Sequence, residues 1–390
     1  MPYSIYLKKN EEKRIFAGHP WVYANEVSRI DGKDKNGSLA TVFDYSGRYL
    51  GKGFINHLSK ILVRIFIRDD KEVSEDLFKE RILYADSYRK SLGLGGSYRM
   101  VFGESDNLPG LVIDKYEDVY SLQFLTLGMD NYKDVIVKIL IELFSPACIY
   151  ERSDLSVREK EGLSQQKGLL YGELKSPVEI LENGIKMLVD VENGQKTGYF
   201  LDQKLNRLAI RKYSEGKNVL DCFCNTGGFS LNAAKAGAKS VIALDISPLA
   251  LADVNKNAEI NGFSEIIKTE CANVFDKLRD YKKDGRQFDL IILDPPAFCK
   301  NASEILDAMR GYKDINSIAM KLVKKGGFLV SSSCSQHITF PLFEEMLKSS
   351  AFEAKCQARI VEIKTQSPDH PSLLSANETA YLKFYVLNIL

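Results

Sequence analysis

The chain has 390 residues, 45% of them apolar and 27% charged, which is ordinary soluble globular composition at a length beyond one hydrophobic core, so two or three domains are expected. A net charge of +1, seven cysteines without framework spacing and four scattered histidines (His19, His57, His337, His370) argue against a uniformly basic nucleic-acid binder, a disulfide scaffold and a metal site. The opening "MPYSIYLKKNEEKR" lacks an apolar core of signal-peptide length and "DVIVKILIELF" is broken by charge well short of a membrane span, so a cytoplasmic protein with no membrane partner is expected.

Residues 1–70 show short alternating runs, "SLATVFDYSGRYLGKGF" and "KILVRIFIR", separated by glycine-bearing turns, the pattern of a small β-barrel or sandwich. Up to Arg68 this segment holds twelve Lys/Arg against six Asp/Glu, a net of +6, which leaves −5 for the remainder and suggests that the first module meets phosphates. In "KILVRIFIR", Ile61, Val63, Ile65 and Ile67 share one face while Arg64, Phe66 and Arg68 share the other, so Arg64 and Arg68 are candidate RNA contacts.

Residues 71–184 begin with a charged helical connector that ends at "GLGGS". Strand candidates follow at "GLVIDKY", "VYSLQFL", "ACIYERS" and the stretch through "VEILENGIKMLVDV", with a helix at "NYKDVIVKILIELF" between the second and third. Two strands, a helix and two strands describe an α+β sandwich of one sheet and one helix layer.

From residue 185 to 390 strands and helices alternate. "NVLDCF", "SVIALD", "EIIKTEC", "FDLIILD" and "GGFLVSSS" are short apolar runs suited to a parallel sheet buried on both faces, which makes this a doubly wound, Rossmann-like α/β domain. Ser247 with Pro248 reads as a helix start, Gly262 as a stop, and "KKGG" as the end of the helix before the fifth strand.

Ligands in such sheets bind beyond the carboxyl ends of the strands. The first strand ends in "DCFCNTGGFS", where Gly227 and Gly228 permit close backbone approach, and the second in "LDIS", where Asp245 can accept from ribose hydroxyls. Without a full G-x-G-x-x-G or a Walker sequence, a pyrophosphate cradle is absent, which favours S-adenosylmethionine over a nicotinamide nucleotide. Asp221 is an acid where that cofactor presents its ammonium. The fourth strand ends in "LDPPAF": Pro295 and Pro296 hold a rigid turn that fixes Asp294 beside Phe298, an arrangement suited to a planar base.

Together these residues resemble the class I S-adenosylmethionine-dependent methyltransferases, and more closely the bacterial family that forms 5-methylcytosine in large-subunit ribosomal RNA. "AGHPWVYANEV" is similar to that family's N-terminal PUA domain, an RNA-binding module, "NLPGLVIDKY" to its central domain, and "GQKTGYFLDQKLNR" to the lead-in to its catalytic domain. "DCFCNTGGFS", "LDIS", "LDPPAF" and "SSSCS" stand in family order. The resemblance implies that Asp221, Gly227, Gly228 and Asp245 contact the cofactor, with Phe223, Asn225 and Ile246 in the same loops and Lys196 and Gln203 ahead of the first strand. Asn273 stands where the family carries an acid near the adenine; its amide oxygen can still accept from the amino group. Ribosomal RNA is the implied partner, and homodimerisation is left open.

Carbon 5 of cytosine is a poor nucleophile until a thiolate adds to carbon 6. Cys334, at the end of the fifth strand among Ser331, Ser332, Ser333 and Ser335, is the candidate nucleophile, with Asp294 to hydrogen-bond the ring. His337 reads as a solvated loop residue, and Cys148, Cys222, Cys224, Cys271, Cys299 and Cys356 as structural. Guanine-nitrogen methylation and a non-catalytic RNA-binding assembly role are the competing readings.

Overall fold

The short alternating runs at the N-terminus fold into a six-stranded sheet, here described from a computed structural model covering residues 2–69 and 71–390. Its strands β1 (Tyr3–Leu7), β2 (Trp21–Tyr23), β3 (Val27–Asp31), β4 (Leu39–Phe43), β5 (Tyr49–Ile55) and β6 (Ile61–Ile67) lie in the order β2-β6-β5-β4-β1-β3, with the short helix α1 (Glu12–Phe16) after β1. Only β1 and β4 run parallel. Inward residues such as Ile5, Val22, Val42 and Val63 form a local core.

The expectation of an exposed outer face on β6 is corrected. Phe66 is 3% exposed and stacks on Phe54 at 4.5 Å between centroids. Both rings belong to a second core shared with helix α2 (Glu75–Ser91), so β6 is buried on both sides. Ser74 starts α2 by accepting from Leu77 N at 3.2 Å.

The central sheet has five strands, β7 (Tyr98–Phe102), β8 (Leu111–Tyr116), β9 (Val119–Phe124), β10 (Cys148–Ser153) and β11 (Gln166–Gly172), in order along the sheet. Helices α3 (Leu127–Asp130) and α4 (Lys133–Phe144) make the crossover that the parallel β9–β10 pair requires. "VEILENGIKMLVDV" does not join this sheet: β12 (Val178–Glu182) and β13 (Ile185–Val189) pair as a separate hairpin. Its turn is Asn183-Gly184, both residues at positive φ (54° and 72°), the backbone that matches a hairpin's twist.

The C-terminal sheet comprises β14 (Asn218–Cys222), β15 (Ser240–Asp245), β16 (Ile267–Cys271), β17 (Phe288–Leu293), β18 (Val323–Ser333), β19 (Ala358–Lys364) and β20 (Lys383–Ile389). The order is β16-β15-β14-β17-β18-β20-β19; the first five strands are parallel, and β20 runs antiparallel to both β18 and β19. The five expected strands are present, and two antiparallel ones extend the sheet. Helices α5 (Lys204–Ala209), α6 (Gly228–Lys235), α7 (Pro248–Ile260), α8 (Val274–Lys283), α9 (Ile305–Leu322) and α10 (Phe340–Ala354) cover it. Helix α9 stops at Leu322, before "KKGG", which instead opens β18 as an irregularity in its pairing with β17.

The chain divides into two compact units, Met1–Ile180 with Val189–Asp202 and Pro368–Thr379, and Leu181–Leu188 with Gln203–Ser367 and Ala380–Leu390. The N-terminal and central sheets fall in the first unit, consistent with the core they share around Phe54 and Phe66. Among the described residues no helix is long and apolar enough to cross a membrane.

Candidate functional site

Within the C-terminal sheet the strand order reverses between β14 and β17, which opens a crevice at their carboxyl ends. Asp221, the penultimate residue of β14, is fully buried there. Its Oδ2 accepts from Ser230 N (2.9 Å) and Ser230 Oγ (2.7 Å) at the start of α6, while its Oδ1 is buried with no hydrogen-bond partner. Burial pushes this carboxyl up to about 7, Asp294 and Asp245 add to the rise, and the Ser230 bonds oppose it.

The loop from β14 to α6 is tightly wound. Phe223, Asn225 and Gly227 all have positive φ (61°, 48° and 86°), which a side chain tolerates poorly. A Cβ on Gly227 would come within 3.1 Å of Val254, so the backbone there is close to α7 as well as left-handed. Asp245 pins this loop to β15: its Oδ2 accepts from Asn225 N at 3.0 Å and its Oδ1 from Ser247 N at 2.9 Å. The neighbouring Ile246 is 67% exposed, so it presents an apolar face beside the loop. Gly228 begins α6, with Gly227 at its N-cap.

A buried carboxylate oxygen without a donor, a loop that brings bare backbone to the strand ends, an acid at the end of β15 and an exposed aliphatic residue fit a nucleoside that carries an ammonium. Asn273 has a second occupation: its side chain accepts from Phe275 N at 2.9 Å and caps α8. Lys196 belongs to the first unit, where it is exposed with its Nζ 4.8 Å from the Phe200 ring centroid.

Gln203 turns to the other half of the crevice. Its Nε2 donates to Asp294 Oδ1 at 2.8 Å, and its own Oε1 accepts from Asn206 at 2.7 Å. Ser332 Oγ also donates to Asp294 Oδ1, which ties the ends of β17 and β18 together. Pro295 is buried and Pro296 exposed, so the rigid turn is anchored at one residue and open at the next. Phe298 is half-buried and packs 4.6 Å from the Tyr312 ring, with Phe275 at 6.0 Å and Phe223 at 6.5 Å. It is a wall of the site rather than a free ring.

Cys334 follows β18 and is half-buried, the accessibility a reactive thiol needs. The serines around it are buried and serve the framework. Ser333 Oγ donates to Tyr312 Oη (2.9 Å), Ser335 Oγ bonds the same hydroxyl (2.9 Å), and Cys299 N donates to Ser335 Oγ (3.2 Å). Their expected part as a polar lining of the thiol is thus filled by packing roles. Cys148, Cys222, Cys224 and Cys299 are buried, and burial raises each thiol. Cys271 is exposed at the end of β16, its Sγ 3.5 Å from Ile246 O.

A residue missed in the sequence is Lys383, 1% exposed at the start of β20. Its Nζ donates to Ser335 O and Tyr381 O, each at 2.6 Å. The available signal was a lysine inside the apolar run "YLKFYVLNIL".

In the first unit the structure corrects one of the two expected RNA contacts, Arg64. Arg64 is 14% exposed and forms salt bridges with Glu104 (2.7 Å) and Glu161 (3.0 Å). Arg68 donates to the backbone oxygens of Ile15, Gly18 and His19 at 2.8–3.0 Å. Arg64 is consumed by the fold because β6 is interior; Arg68, just after β6, is exposed and braces the α1 loop.

Two family models match the chain, a PUA-like domain over residues 5–68 and an S-adenosylmethionine-dependent methyltransferase over residues 155–385. The protein named ribosomal RNA large subunit methyltransferase I from Shewanella amazonensis is 44% identical over 396 residues, covering 100% of both chains. Its namesake from Aeromonas hydrophila is 42% identical over 99% of both. A solved protein described as a methyltransferase, SMU.776 complexed with SAH, superposes with a TM-score of 0.87 at 20% identity over 100% of both chains. The chain belongs to the S-adenosylmethionine-dependent methyltransferase family, with S-adenosylmethionine as its cofactor.

Proposed function

We propose that the protein methylates carbon 5 of a cytosine in large-subunit ribosomal RNA, with Cys334 as the nucleophile. The observation that carries this reading is an accessible thiol at the end of β18, one strand from Asp294, whose side chain is held by Gln203 and Ser332. Nitrogen methylation needs no thiol; carbon 5 does. The substrate class rests on the names of relatives matched over their full lengths.

In this reading Asp221 takes the cofactor's ammonium on its unused oxygen, Asp245 the ribose, and the left-handed loop through Gly227 lies against the amino-acid portion. The cofactor supplies an electrophilic methyl group. The Cys334 thiolate adds to carbon 6, and the bonding pair shifts to make carbon 5 nucleophilic. Asp294 orients the ring as charge develops on it. After carbon 5 has taken the methyl group and lost its proton to a base, the sulfur–carbon 6 bond breaks, the double bond returns and the thiolate is regenerated.

With Arg64 buried in ion pairs, RNA contact falls to Arg68 and to another part of the first sheet. Arg29 lies 4.1 Å from the Tyr6 ring centroid, Lys9 5.9 Å from Tyr45, and Arg48 3.9 Å from Phe16; Arg29 and Arg48 also pair with Asp31 and Asp44, but unlike Arg64 they stay mostly exposed. Tyr45 and Phe16 are about half exposed, and Tyr6, Ser28, Arg29, Tyr45, Ser46 and Gly47 line a shallow hollow. Cations interleaved with open aromatic rings suit a single strand, whose phosphates and bases they meet together.

Replacement of Cys334 by Ala is expected to lower methyl transfer on the order of 10³-fold or more. RNA carrying 5-fluorocytosine, which cannot release its carbon 5 substituent, is expected to trap the wild-type protein covalently and leave the variant free. A fully active Cys334→Ala, or product methylated on guanine, would overturn the reading.

A further inference from the structure

Lys383 is an ammonium in an awkward place. Antiparallel pairing sets it opposite Ser333, the residue before Cys334, and its Nζ reaches Ser335 O, on the residue after. The cation therefore brackets the Cys334 segment. Both of its hydrogen-bond acceptors are neutral carbonyls, and among the described residues it makes no salt bridge with Asp or Glu. A buried charge without a counter-charge is costly, so an anion nearby would stabilise it.

The groups around it narrow the choice. Tyr312 of α9, bonded to Ser333 and Ser335, is held neutral, its hydroxyl pushed up to about 12 by burial. Cys299 is buried, its thiol raised by burial and by Glu304, and its Sγ contacts Asn301 O at 3.1 Å, a contact in which a thiol donates. Cys334 is the half-exposed group left beside the cation, and both Cys334 and Cys299 act to raise Lys383.

We propose that Lys383 is the positioning residue that keeps Cys334 as a thiolate, its ammonium held against the Cys334 segment by the carbonyls of Ser335 and Tyr381. Burial brings the lysine down to about 8, so it keeps its proton at neutral pH while remaining close enough to neutrality to feel the state of the thiol. The thiol's proton goes to solvent, and the ion pair is what remains. The inference rests on Cys334 being the nucleophile, and gives that residue the charge environment a free thiol lacks.

The test is the alkylation rate of Cys334 by iodoacetamide, read by mass spectrometry of its peptide in the full-length protein from about pH 5 to 9. Lys383→Met is expected to move the midpoint up by about one unit or more, with about tenfold slower alkylation at neutral pH, and Lys383→Arg to restore the wild-type profile. Reciprocally, Cys334→Ala is expected to lower the Lys383 midpoint, followed by NMR of the lysine side chains, a readout that needs no lysine variant. Unchanged midpoints in Lys383→Met and in Cys334→Ala would overturn the pairing. If Cys334→Ala is inactive and the midpoints stay unmoved, only the lysine inference fails; if Cys334→Ala remains active, the covalent reading fails, and with it the purpose of the pair.

Discussion

A fully buried carboxyl group with one unused oxygen resists ionisation, and Asp221 is such a group, lifted to about 7. Because its folded value lies above its unfolded one, the folded state binds the extra proton between about pH 4 and 7. The cofactor-free protein is therefore expected to lose stability as pH rises through that window, and Asp221→Asn to flatten the trend in thermal melts. A cofactor ammonium prefers the ionised form, so affinity should tighten about tenfold per pH unit below the midpoint and level off above it, as calorimetry would record. In the sequence such residues were recognisable by position: Asp221, Asp294 and Cys334 all sit at strand ends, where side chains face the crevice. Arg64 and Lys383 were not, because the same letters describe a surface cation and a buried one. Only the tertiary neighbours, Glu104 and Glu161 for one and two backbone carbonyls for the other, decide.

The hairpin of β12 and β13 is fastened to α5 by one buried pair. Arg207 donates to Glu182 through Nε and Nη2 at 2.6 and 2.8 Å, with both side chains under 5% exposed. Removing one partner strands a charge in the interior. Glu182→Ala is expected to cost about 3–5 kcal/mol and to lower the melting temperature by about 10 °C or more in differential scanning calorimetry. The inner parallel strands β14 and β17 were legible as near-continuous apolar runs because they are buried on both faces, whereas the edge strand β16, IKTEC, is mostly open. Strands β19 and β20 were not, since β19 carries alternating charge and exposed residues that read equally well as a loop. The central sheet was half legible for a related reason: β11 has five of its seven residues exposed and depends on β10 for its existence.

Over the whole molecule the net of +6 in residues 1–68 outlasts the loss of Arg64. Reversing Lys9, Arg29 and Arg48 together is expected to raise KM for RNA and to reduce the salt slope of binding by about three, one per phosphate contact, with cofactor affinity unchanged. Arg64→Glu should instead destabilise the protein, since it places a third acid beside Glu104 and Glu161.

The chain's route between the units has a further consequence. Asp369 accepts from Arg99 N at 3.0 Å and its carbonyl accepts from the buried Arg89 at 2.9 Å, so the first unit is closed by residues 368–379. During synthesis those residues appear after every strand of the first unit's two sheets, and until then Arg89 and the Arg99 amide lack a partner each. A chain cut before residue 368 therefore carries an unfinished first unit even when every residue of its two sheets has been made.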